Sequence, residues 1–259
     1  MTTHIGTLIE AREPAPAGQM GKTMTVSPDM GRLLARLARR RDFPAADLTD
    51  ELRRCARMLR LDGLALSLAQ AGGAPELLWH TDEKAALLDD LQFTQGQGPS
   101  SDVLHSHTPV LWPDLTCFPP NQWPGLAAAL QELGVQAVFA FPLSVGVIHL
   151  GALTGHRAAP GPLYPQQTDD ALALTDTLTE LLTSPGAPTV LAGHSCLHRA
   201  EVHQATGMTA VRLNVSAADA LARIRAHAYR HNEPLLDTAR AILTRRLSLT
   251  DNSRPADGT

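Results

Sequence analysis

The 259-residue chain is poor in cysteine and aromatic residues, and both are unevenly placed. Cys55, Cys117 and Cys196 are its three cysteines; they stand far apart and form no C-x-x-C pair. Such a set supports neither a disulfide framework nor a zinc ribbon, and it fits a reducing compartment. A long apolar run is also missing. The most apolar stretch, 135–153, is broken by Gln136, Pro142, Ser144 and His149, whereas a membrane helix needs about 20 predominantly apolar residues. The start of the chain carries Glu10, Arg12 and Glu13 and lacks a signal peptide's apolar core. A cytoplasmic protein, neither secreted nor membrane-spanning, is therefore expected.

Basic side chains are nearly absent from the middle of the sequence. Residues 61–183 hold two Lys or Arg against thirteen Asp or Glu; 1–60 hold eleven against seven, and 184–249 eight against four. An acidic centre between basic ends reads as two unlike modules. Aromatics show the opposite gap: eight of the ten lie in 61–183, and beyond 184 only Tyr229 remains. That absence excludes an aromatic stacking platform at the carboxy-terminal end. Catalytic patterns are missing too. The loop 96–101 lacks the lysine of a phosphate-binding P-loop. Gly193-His194-Ser195-Cys196-Leu197 lacks the second glycine of a nucleophile elbow. His194, Cys196 and His198 have no nearby fourth ligand for a closed zinc site. Neither an enzyme nor a metal protein is expected, and no cofactor is required.

The remaining pattern gives an order of elements. Residues 1–28 mix Pro, Gly, Thr and Met without period and read as a disordered lead-in. Leu33, Leu34 and Leu37 among arginines predict a short basic helix over 30–41, and Asp47 is placed to cap a second helix. Strands are predicted at 64–68 and 77–80, joined through Gly72-Gly73, followed by a helix over 82–91. Ser100 or Ser101 is placed to cap a helical turn after the tight loop at Gly96 to Pro99, and a short strand is predicted at 109–112. Pro124 opens a helix that Gly134 stops; strands at 137–143 and 147–154 and a helix over 167–183 complete the set. This is α+β with a largely antiparallel sheet. A Pro/Gly linker is read at 184–198 and a tail at 250–259. Between them three helices are legible, with Val202, Ala205, Met208 and Val211 striping the first. Ser216 with Asp219 caps the second, and Pro234 opens the third.

Several of these segments carry a family resemblance. Leu91-Gln92-Phe93-Thr94-Gln95-Gly96-Gln97-Gly98-Pro99, Pro109-Val110-Leu111-Trp112-Pro113-Asp114-Leu115, Trp123-Pro124 and Ala137-Val138-Phe139-Ala140-Phe141-Pro142-Leu143 make roughly 45–183 similar to a GAF sensor domain of actinobacterial type, and the domain is read over 29–183 with its amino-terminal helices. Val202-His203-Gln204-Ala205-Thr206-Gly207-Met208, Val215-Ser216-Ala217-Ala218-Asp219-Ala220-Leu221 and Pro234-Leu235-Leu236 make 199–249 resemble an ANTAR domain, the RNA-binding output module of antitermination regulators. Thr206 stands where many members of that family carry lysine, and Ser100 where related GAF sequences often have cysteine.

The resemblance implies a signal-responsive antitermination regulator that binds paired RNA stem-loops, with a homodimer as its active form. Gln204, Thr206, Gly207, Arg212, Ser216, Arg223, Arg225 and Arg230 are the expected RNA-binding residues, since guanidinium groups bind phosphate bidentately and stack on unpaired bases. Trp79, Phe93, Trp112, Asp114, Phe139 and Phe141 are the candidate lining of a small-molecule pocket in the GAF-like domain. The rival expectation makes the three helices a protein-docking or dimerisation module that touches no RNA.

Overall fold

The computed structural model describes residues 25–39, 45–69, 75–117, 119, 121–184, 199–231 and 233–249. Among them no helix is long and apolar enough to cross a membrane. Helices α1 (Pro28–Arg39) and α2 (Ala45–Met58) lead into strands β1 (Gly63–Leu68) and β2 (Glu76–His80). Then come α3 (Glu83–Gln95), α4 (Pro99–Ser106), β3 (Val110–Trp112), a 3-10 turn (Leu115–Cys117) and α5 (Leu126–Glu132). Strands β4 (Ala137–Val145) and β5 (Ile148–Arg157) and helix α6 (Pro165–Thr183) follow, and the last elements among the described residues are α7 (Ala200–Leu213), α8 (Ala217–His231) and α9 (Leu235–Leu243). The class is α+β followed by a small three-helix unit, as the sequence predicts.

The five strands among the described residues form one sheet in the order β2-β1-β5-β4-β3, and every neighbouring pair is antiparallel. Alternation divides its side chains between two cores. Ala137, Phe139, Phe141 and Leu143 of β4 face α1, α2 and α6, together with Leu64, Leu66 and Leu153. Val138 points to the opposite face, where Leu88, Leu126 and Leu130 of α3 and α5 cover it. Gly151 of β5 sits opposite Leu68, and a Cβ there would come within 2.1 Å of the Ser67 carbonyl oxygen.

Several boundaries differ from the sequence-based expectation. Residues 25–28, expected within the lead-in, are placed: the Ser27 amide and hydroxyl both donate to the Asp170 carboxylate at 2.7 Å, tying the entry of α1 to α6. Asp47 lies inside α2, which begins at Ala45, and therefore not at its cap. Neither Ser100 nor Ser101 caps α4, because Pro99 already occupies its first turn. Instead the Ser100 amide donates to Gln92 Oε1 and its hydroxyl pairs with Thr154, both at 2.8 Å. Gly96 (φ 68°) closes α3 in the left-handed region that glycine tolerates best. The hairpin at Gly72-Gly73, the linker beyond Ser184 and the tail from 250 lie outside the described residues.

In the three-helix unit, Val202, Ala205, Leu221, Ile224, Ala228, Leu235, Ala239 and Ile242 form a small core. Its α7 stripe is Val202, Ala205, Thr206 and Thr209. Met208 and Val211, counted as inward by the sequence, are 41% and 85% exposed. The helix presents positions i, i+3, i+4 and i+7 to its neighbours, and Met208 and Val211 fall off that arc.

Candidate nucleic-acid interface

The surface of the three-helix unit is built from the helix ends inward. Ser216 accepts a hydrogen bond from the Asp219 amide at 3.1 Å and donates to the Asp219 carboxylate at 2.7 Å, starting α8 at the predicted position. One helical face then carries Arg223 and Arg230, seven residues apart. Both line a groove of about 320 Å³ with His227, His231 and the segment Leu247, Ser248 and Leu249. The other side of that segment borders a second groove of about 410 Å³, floored by Met208, Ile242 and Leu247 and flanked by Arg212 and Arg245. Gln204, Gly207, Arg212 and Arg230 are exposed, and a Cβ on Gly207 would meet no atom within 4 Å. Arg240 is partly neutralised by Glu201 at 2.9 Å.

Three of the expected RNA-binding residues are otherwise engaged. Thr206 is buried, and its hydroxyl donates back to the Val202 carbonyl at 2.7 Å. The Ser216 hydroxyl is used by its own cap. Arg225 points away from the grooves, and its guanidinium donates to the Phe93 carbonyl of α3. The physical reason is helical phase: two residues beyond Arg223, Arg225 is turned about 200° around the axis and faces the sheet domain.

That contact belongs to a joint between the two units. Phe93 projects from α3 into the core of the three helices. The guanidinium carbons of Arg199 and Arg225 stand 4.1 Å and 5.0 Å from its ring centroid, and the His203 ring meets it edge-on at 5.9 Å. Arg199 donates to Asp89 at 2.9 Å and to Asp90 at 3.3 Å; Ser67 of β1 donates to the other Asp89 oxygen. His203 pairs with Glu76 of β2 at 2.7 Å. Asp89 and Arg199 are both almost fully buried. Burial raises the Asp89 carboxyl above the ordinary range, against the pull of the Arg199 charge and the Ser67 hydroxyl. Burial, with the Arg199 charge nearby, also pushes the Arg225 guanidinium down to about 10. Each cation–π contact at such a desolvated ring contributes about 1–2 kcal/mol, and burying a phenyl side chain a further ~1.5–3 kcal/mol. Sequence reading missed Arg199 and His203. Their signal is the α3 spacing, since Asp89 and Phe93 stand four apart and share one face.

The six candidate pocket residues are not brought together. Trp79, Phe139 and Phe141 are buried in the core beneath α1, α2 and α6, and the Trp79 indole donates to Thr49 at 3.1 Å. Trp112 packs on the other side of the sheet, edge-on to Trp123 at 6.1 Å. Phe93 belongs to the joint. Asp114 is half-buried, and its carboxylate accepts from the Thr116 amide and hydroxyl at 2.8 Å and 2.6 Å. These residues fill core, wedge two units together and cap a turn.

Comparison with known proteins adds a family match at one end of the chain. Residues 195–243 match the family model of the ANTAR domain, a span that takes in α7, α8 and α9. No curated protein matches the sequence. Similar solved structures include the GAF domain from a phosphoenolpyruvate-protein phosphotransferase of Coxiella burnetii, at 16% identity and TM-score 0.44, covering 58% of this chain and 90% of that one. The phycocyanobilin-bound GAF domain from a cyanobacterial phytochrome is similar at 14% identity and TM-score 0.46, covering 65% of this chain and 100% of that one. A third, the GAF domain from the Acinetobacter phosphoenolpyruvate-protein phosphotransferase, stands at 11% identity and TM-score 0.44, with 63% and 95% covered.

Proposed function

We propose that this protein is a cytoplasmic, signal-responsive transcription antitermination regulator that binds RNA stem-loops through its three carboxy-terminal helices and acts as a homodimer. The observation that carries the reading is the coincidence of the ANTAR match with a helical surface where Arg212, Arg223, Arg230 and Arg245 border two adjoining grooves. Guanidinium groups spaced along grooves suit the phosphates and splayed bases of a hairpin loop. Arg223 and Arg230 are the main phosphate contacts on α8, and Arg212 and Gln204 extend them along α7. The sheet domain senses the signal, and its effect on the helices is a difference in free energy between arrangements of the two units.

The test is a gel shift with a two-hairpin RNA across a salt series. Binding should weaken steeply, with a logarithmic slope of about −0.7 to −0.9 for each phosphate neutralised. Replacing Arg223 and Arg230 together with Ala should flatten that slope by roughly two contacts' worth. A protein that shifts no RNA even at low salt overturns the reading. One observation favours a second reading, in which the helices serve only for docking: they already pack on α3 through Phe93, Arg199 and Arg225. In that case no RNA concentration produces a shifted band.

A further inference from the structure

We propose that Arg199, His203 and Arg225 form a binding site for an unpaired nucleotide, and that α3 fills this site in the present arrangement by mimicking one. The inference rests on the RNA reading above and names both the ligand of a further site and its competitor. Phe93 stands in for the base. Its flat ring lies under the guanidinium groups of Arg199 and Arg225 and against the edge of His203, at 4.1, 5.0 and 5.9 Å. Asp89 and Asp90 stand in for phosphate: they present carboxylate oxygens to one guanidinium at 2.9 and 3.3 Å. The Phe93 carbonyl, which accepts from Arg225, occupies the place of a sugar or base oxygen. Stacking on a π face, anionic oxygens in the guanidinium plane and a neutral acceptor beside them are what arginine recognises in a single-stranded nucleotide.

The mimic is imperfect. Nη1 of Arg199 and Nε of Arg225 are buried, and neither has a hydrogen-bond partner among the described residues. A phosphodiester carries two free oxygens on one centre, and it would supply acceptors that the α3 carboxylates leave unmet. Gly96, which closes α3, lets the mimic come close: a Cβ there would stand 3.0 Å from Nη1 of Arg225. The site lies across α8 from the helical unit's grooves, since that helix presents Arg223 and Arg230 on one side and Arg225 on the other. Because the same atoms hold α3 or the nucleotide, the two compete. Release of α3 and capture of RNA are then coupled reciprocally, so whatever loosens α3 tightens RNA binding by up to the same factor.

The experiment uses the full chain and a two-hairpin RNA, either with intact loops or with a single abasic nucleotide placed at successive loop positions. Asp90→Lys, on the exposed edge of α3, should weaken docking and tighten binding about tenfold. Adding Arg225→Ala to that variant should cost about tenfold, and the same loss should follow from one abasic position in the Asp90→Lys protein. If Arg225 were only a clasp, Arg225→Ala would open the joint and bind RNA as tightly as Asp90→Lys. That result, with salt-sensitive RNA binding retained, overturns the nucleotide site and leaves the RNA reading standing. The unaltered protein provides a readout independent of any folding defect: saturating RNA should speed amide hydrogen exchange across 83–95, and unchanged exchange there also overturns the competition. Failure of every variant to bind RNA removes the RNA reading, and the site with it.

Discussion

Phe93 serves two structures at once, sitting on a helix of the sheet domain and in the core of the helical unit. Its neighbour in function, Asp89, is held by Ser67 behind and Arg199 in front. At this scale environment, not residue type, decides chemistry, and the cysteines make the point testable. Cys55 is buried, and burial with the nearby Glu51 charge pushes its thiol up to about 12. Cys117 is exposed on its 3-10 turn. Iodoacetamide at neutral pH should label Cys117 in the native protein and leave Cys55 unmodified until denaturant is added, as read by peptide mass spectrometry. Labelling of both at equal rates would show that α2 opens far more readily than its packing indicates. The burial of Cys55 is legible in the sequence, because it shares a helical stripe with Leu48, Leu52, Ala56 and Leu59; Cys117 stands in no periodic segment and gives no such signal.

Among the elements, β4 and β5 were legible because each holds a short, nearly continuous apolar run bounded by turn residues, the pattern of a strand buried on both faces. Helix α3 was read too short. Its hydrophobic pattern is weak because it serves three neighbours: Ala85 faces β1 and β2, Leu88 the core beneath α5, and Phe93 the helical unit. The stripe on α7 was misread by about one residue for a related reason, since small Thr206 and Thr209 pack inward while larger Met208 and Val211 stay outside. A close strand approach is the firmest element-scale feature. Gly151→Ala should drive a methyl group into the Ser67 carbonyl and separate β5 from β1. The expected cost is about 1–3 kcal/mol, seen as a lower midpoint in urea denaturation. A midpoint equal to that of the unaltered chain would mean that the sheet absorbs the methyl by a shift in β1.

Across the whole molecule, the charge asymmetry becomes a joint. The acidic centre supplies Glu76, Asp89 and Asp90; the basic carboxy-terminal end supplies Arg199 and His203. Removing one partner of a buried pair costs more than the pair itself contributes, because the remaining charge is stranded. Arg199→Met should therefore cost about 3–5 kcal/mol of docking, visible as a separate, earlier melting step for the helical unit. The pH dependence has a definite sign. Without the arginine, the buried Asp89 carboxyl titrates above its unfolded value, so the folded form binds more protons through that window. Stability of the variant should fall as pH rises from the unfolded carboxylate range through the raised folded value, and recover on acidification. A variant whose melting is unchanged and flat with pH would show that docking rests on Phe93 alone.

The sequence by itself determined the α+β sheet, the three closing helices and the division into an acidic and a basic unit. Those properties follow from periodicity, caps and composition, which are local or additive along the chain. Only the tertiary structure decided that Arg225 faces the sheet domain, that Phe93 and Arg199 meet across more than a hundred residues, and that the aromatic set fills separate cores. Each depends on the rotation of one packed element against another, and a rotation of a few tens of degrees leaves no mark in the residue pattern of either element taken alone.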